Sequence, residues 1–140
     1  YKCFLSNRDG AGFSYVDTDG KLITKRGFLA FNEFQKAYKE HADKFSSQSP
    51  FLLHFRIGTS GDRTSAANCH PFPINPINGP AGVLAHNGVL FTPVGDKMGS
   101  ADDRKSDTRV VAEEFSARYS KDVVKAALRE LNIAFGHGNK

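Results

Sequence analysis

Three short segments carry side chains able to handle a charged small molecule. In His54-Phe55-Arg56-Ile57-Gly58-Thr59-Ser60-Gly61 a guanidinium interrupts an apolar run. Such a group must reach solvent, pair with an acid or meet an anionic ligand. In Leu84-Ala85-His86-Asn87-Gly88-Val89-Leu90 an apolar run meets a polar Asn-Gly corner and turns apolar again at once. Asn-Gly is also the strongest short hairpin signal, so a plain turn is the competing reading. In Lys105-Ser106-Asp107-Thr108 a carboxylate stands where Ser106 or Asp107 can cap a helix. The three segments are expected to converge on one small-molecule pocket, with the rest of the chain as scaffold. His54, His70, His86 and Cys69 could suggest a metal, but no pair has metal-ligand spacing, so none is expected.

The bounds on these residues are ordinary. A chain of 140 residues with 39% apolar and 24% charged side chains is enough for one domain, here residues 1–140, with a real core. No apolar stretch approaches the roughly 20 residues of a membrane span. The net charge of +4 is carried by scattered basic residues, which argues against a nucleic-acid face. Cys3 and Cys69 form no disulfide framework, and free thiols in a cytoplasmic setting are expected. The chain starts at Tyr1 rather than Met and reads as a fragment.

The elements needed to position the segments can be read in order. Asn7-Arg8-Asp9-Gly10-Ala11-Gly12 is turn-rich. Strands are expected at Phe13–Val16 and Leu22–Lys25, joined by an Asp17-Thr18-Asp19-Gly20 hairpin turn. Asn32 reads as an N-cap with Gln35 completing a capping box, for an amphipathic helix over residues 33–45 in which His41 is a packed residue. Residues 51–57 have the continuous apolar pattern of a strand covered on both faces. Residues 58–81 lack periodicity and read as an ordered binding loop, where His70 orders the loop and Cys69 is a small buried thiol. A strand is expected at Gly82–Ala85, and a polar loop at 92–105. Two helices should follow, with inward seams Val111, Phe115, Tyr119 and then Val123, Val124, Ala127, Leu128, Leu131; Ile133–Phe135 could begin a strand.

His54-Phe-Arg56-Ile-Gly-Thr59-Ser-Gly61, Asn68-Cys-His70-Pro-Phe, Leu84-Ala-His86-Asn87-Gly88-Val-Leu and Ser106-Asp107-Thr108 together resemble class II glutamine amidotransferase domains, in order and in spacing. These belong to the N-terminal nucleophile hydrolases. The chain is most similar to small stand-alone amidotransferase-like proteins of bacteria and phages, and the likeness extends back to Asn7-Arg-Asp9-Gly10-Ala-Gly12. The resemblance implies an α+β fold, a four-layer αββα sandwich, here expected to be truncated at both ends. It implies hydrolysis of the glutamine side-chain amide to glutamate and ammonia in the intact parent, without a cofactor. Arg56 would hold the α-carboxylate of glutamine, Asp107 its α-ammonium, and Thr59 and His86 would line the site. The Asn87 side-chain amide and the Gly88 N–H would receive the oxyanion. Asp9, Gly10, Gly12, His54, Asn68 and His70 would support the pocket.

Two positions depart from the family pattern. The family nucleophile is an N-terminal cysteine on the first strand, and Cys3 stands too close to Asp9 to leave room for that strand. The equivalent residue is expected upstream of Tyr1, so the chain as given is expected to be inactive. Ser60 stands where the synthases of this family usually have His. The expected partners are glutamine and an ammonia-acceptor protein or further copies of the chain, with no nucleic acid and no membrane. The expected location is the cytoplasm, that of the host if phage-encoded. The alternative is a non-catalytic domain that keeps the fold for binding or assembly, as a metabolite sensor or an assembly component.

Overall fold

The computed structural model describes residues 1–90 and 104–134. Most of the loop expected at 92–105, and Phe135, lie outside them. The chain forms two compact units: Tyr1–Gly58 with Arg63–Pro71, and Thr59–Asp62 with Phe72–Lys140.

The first unit opens with a short helix α1 (Lys2–Ser6), which the sequence reading did not foresee, followed by the Asp9 turn. Strands β1 (Ala11–Val16), β2 (Leu22–Phe28) and β3 (Phe51–Phe55) form an antiparallel sheet in the order β2-β1-β3. The hairpin signal between β1 and β2 is used as expected. The Asp17 carboxylate accepts from the N–H groups of Asp19 and Lys21 at 3.0 and 2.8 Å. The period-two alternation of β1 then sorts its side chains. Ala11, Phe13 and Tyr15 enter a core with Phe4 and Phe34, while Gly12 and Ser14 alternate with them. Helix α2 (Phe31–His41) packs on this core through Phe34, with Ala37 and Tyr38 half-buried against it.

Two expectations about this unit need correction. Helix α2 starts two residues earlier than read, with Ala30 as its N-cap and no capping side chain. Asn32 lies inside the helix, and its side-chain oxygen accepts from the neighbouring Glu33 N–H instead of closing a capping box. The helix passes into a 3₁₀ turn at Ala42–Lys44. Nor is β3 covered on both faces, since Phe51 and Leu53 remain 41% and 42% exposed. Among the described residues β3 pairs only with β1, at one edge of the order β2-β1-β3.

The second unit contains a two-stranded antiparallel sheet of β4 (Phe72–Ile74) and β5 (Gly82–Leu84), and helices α3 (Asp107–Arg118) and α4 (Lys121–Ala134). Phe72, Ile74, Leu90, Val111, Ala112, Phe115 and Val124 form its core, with Leu84, Ala127 and Leu128 packed against them. Strand β4 falls inside the stretch read as loop, because flanking prolines hid three residues of strand length. Ser106 caps α3, its hydroxyl accepting from the Arg109 N–H at 3.3 Å. Val123, expected inward, is 47% exposed, because Val124 holds the buried position. Helix α4 includes Ile133 and Ala134, so the strand expected from Ile133 does not begin there.

The described residues are therefore α+β, with helices packed on small antiparallel sheets. Among them no helix is long and apolar enough to cross a membrane.

Candidate functional site

In the first unit, six expected support residues and Arg56 come together around the Asp9 turn. Segment 66–70 packs so closely on that turn and on β1 that two positions exclude any side chain. At Gly10, where φ is +133°, a Cβ would strike the Cys69 sulfur. At Gly12 it would strike the His70 carbonyl and come within 2.9 Å of the Arg26 Cβ. The Arg26 guanidinium fastens the same segment, donating to the carbonyls of Ala67 and Cys69. Asn68 is fully buried there, and its N–H donates to the Ser65 carbonyl. The imidazoles of His54 and His70 lie against each other, with ring centroids 4.1 Å apart. His70 is thus buried against His54 where the 66–70 segment meets β3.

The Asp9 carboxylate accepts from the Gly58 N–H at 2.8 Å and from two nitrogens of Arg63 at 3.0 and 2.7 Å. Burial opposes its ionisation. The Gly58 hydrogen bond, the Arg63 guanidinium and the charge of Arg56 outweigh that, and hold its pKa below the usual aspartate value. Arg56 itself is 2% exposed. Its backbone extends the β1–β3 pairing, its N–H donating to the Gly10 carbonyl at 2.7 Å and its carbonyl accepting from the Asp9 N–H at 3.0 Å. Its guanidinium makes long hydrogen bonds to the carbonyls of Asp9 and Arg63, at 3.4 Å each.

In the second unit, Thr59–Asp62 runs beside Arg104–Asp107. The Asp62 N–H donates to the Arg104 carbonyl at 3.0 Å, and Gly61 lies against the backbone of Lys105 and Ser106. This places the Ser60 hydroxyl on Asp107, donating to its Oδ1 at 2.8 Å and accepting from its N–H at 3.1 Å. Asp107, 3% exposed at the first turn of α3, also accepts from the Thr108 N–H at 2.7 Å through Oδ1. Its Oδ2 accepts from the Leu90 N–H at 2.8 Å. Asn87 and Gly88 are exposed, His86 is half-buried and Thr59 is exposed. Gly88 has φ of +131°, a backbone that glycine adopts readily. Among the described residues the Asn-Gly pair joins no hairpin: β5 ends at Leu84 and pairs back to β4, and residues 85–90 lie in no strand.

Arg63, Arg26 and the Ser60–Asp107–Leu90 connection were not foreseen. Arg63 and Arg26 sit among scattered basic residues, and nothing in local spacing marks them. Ser60 was visible only as a departure from the family pattern. Cys3 is exposed on α1, and Cys69 is buried. Burial pushes the Cys69 thiol up, while the charges of Arg56 and Arg26 pull the other way. Among the described residues no group of three or more His, Cys, Asp and Glu side chains could hold a metal ion. No family model, curated protein or solved structure matches the chain.

Proposed function

We propose that this chain is the glutamine-binding domain of a class II amidotransferase-like hydrolase. In an intact protein that supplies an N-terminal cysteine, it would convert glutamine to glutamate and ammonia. The fold in this reading is the four-layer αββα sandwich. The observation that carries the proposal is the Asn87-Gly88 corner. It is exposed, lies outside the strands of the described residues, and has a backbone suited to glycine at Gly88. The Asn87 amide and the Gly88 N–H are the donors this chemistry needs where negative charge develops on the amide oxygen. By the family likeness alone, Arg56 is assigned to the α-carboxylate and Asp107 to the α-ammonium, with Thr59 and His86 as further lining residues. Asp9, Gly10, Gly12, His54, Asn68 and His70 hold the frame around Arg56.

The attacking thiol needs a low barrier to deprotonation and a free α-amine as its base. Cys69 is buried with its thiol pushed up, and Cys3 sits on a helix rather than at the end of a strand. Neither suits the role, so the 140-residue chain by itself should release no glutamate. Glutamate release should be measured on this chain and on an intact protein with the N-terminal cysteine. Release by the intact protein only is the expected result. No release, together with no change in thermal stability on adding glutamine, would discard the proposal. A second reading, a binding or assembly domain, draws on the exposed apolar side chains Phe51, Leu53 and Ile57. Stabilisation by glutamine without turnover would select it.

A further inference from the structure

We infer that Asp107 is a positioning residue for the Asn87-Gly88 corner, acting through the amide of Leu90. Leu90 follows Gly88 by two residues, and its side chain is 3% exposed in the core formed by Phe72, Ile74, Val111 and Phe115. Its N–H is held by Asp107 Oδ2 at 2.8 Å in a buried hydrogen bond. The chain leaving the corner is therefore fixed both by its side chain and by its backbone. Asp107 is fixed in turn. Its Oδ1 accepts from the Ser60 hydroxyl at 2.8 Å and the Thr108 N–H at 2.7 Å, with the Thr108 hydroxyl further off at 3.3 Å. A carboxylate offers about four lone-pair sites, and these donors use most of them. Charge-assisted bonds of this kind are short and directional, and the start of α3 favours the negative charge. Ser60 closes the arrangement by also accepting from the Asp107 N–H. A carboxylate bound this fully by the protein's own donors orients the backbone before it meets any ligand.

This role differs from that of an ammonium ligand, and the two can be separated. In Asp107→Asn the shape is kept, but one acceptor becomes a donor facing the Leu90 N–H or the Ser60 hydroxyl. Amide exchange at Leu90, measured on this chain by NMR, should accelerate roughly tenfold or more, while the Phe13 amide in β1 is unchanged. Ser60→Ala keeps the carboxylate and should produce a smaller acceleration at the same amide. It also decides the matter if Asp107→Asn does not fold. Leu90 exchange unchanged in both folded variants overturns the inference. A second arm rests on the proposed glutamine reading and uses the intact protein. Asp107→Asn should lower kcat about 10²-fold for glutamine and equally for glutaramate, which lacks the α-ammonium, with KM little changed. A loss confined to glutamine and expressed in KM makes Asp107 an ammonium ligand and overturns the inference. If the wild-type protein hydrolyses neither compound, the glutamine reading falls and the exchange measurement alone decides the role of Asp107.

Discussion

Gly12 lies where β1 passes against the His70 carbonyl on one side and Arg26 on the other. Because both neighbours include backbone, a methyl group there cannot be absorbed by rotating a side chain. Gly12→Ala should cost about 1–3 kcal/mol, read as a lower urea midpoint with an unchanged slope. A second residue-scale prediction concerns His41. Its Nδ1 lies 2.7 Å from the Tyr15 hydroxyl. Burial lowers its pKa below the usual 6.5, assisted by Lys25 and Lys44 and opposed by Glu40. A histidine depressed in the fold stabilises it above the unfolded value, and the contribution is lost as pH falls through the folded value. Stability should therefore decline on acidification from 6.5 downward, and His41→Gln should flatten that part of a urea-midpoint profile. At this scale the sequence was informative where a residue type has few uses. Arg56 in an apolar run had to reach solvent, an acid or an anionic ligand, and the fold buries it; Cys69 read correctly as a small buried thiol. The partners themselves were not legible. Arg63 on Asp9 and Ser60 on Asp107 join positions 54 and 47 residues apart, and no local pattern encodes such a meeting.

The elements were most legible where one physical signal dominated. Alternation in β1 and the Asp17–Gly20 turn gave the hairpin, and the Ser106 hydroxyl gave the start of α3. They failed where two signals competed. Asn32 has the chemistry of a cap, but Phe31 is already helical and packs against the core with Phe34, so burial set the helix start. In β3 a run of large apolar residues implied two covered faces, yet hydrophobic sequence does not ensure hydrophobic surroundings. The element that should tolerate least change is β1, through Phe13. That ring is fully buried and lies within 6.4 Å, centroid to centroid, of Tyr15, Phe28, Phe34, Tyr38, Phe45 and Phe51. Phe13→Ala should cost about 3–5 kcal/mol, and near-ultraviolet circular dichroism should show the aromatic packing lost at lower denaturant than in the wild type.

At the scale of the molecule, composition bounded the class of protein but not its organisation. The division into two units could not be seen, because the chain passes between them more than once. Thr59–Asp62 groups with Phe72 onward, while Arg63–Pro71 returns to the first unit. No linker composition marks such crossings, since each is made within ordinary loop sequence.

The two cysteines differ in a way that gives the chain an internal chemical contrast. Cys3 is exposed on α1, whereas Cys69 is sealed against Gly10 with its thiol pushed up by burial. A thiol-reactive dye needs both contact and the thiolate, so it should modify Cys3 first and leave Cys69 untouched in the native chain. Mass spectrometry of the labelled peptides would follow this directly. Because Cys69 can react only when the Asp9 turn lifts away from it, its labelling rate measures how often the frame around Arg56 opens, and dye added at Cys3 leaves that measurement intact.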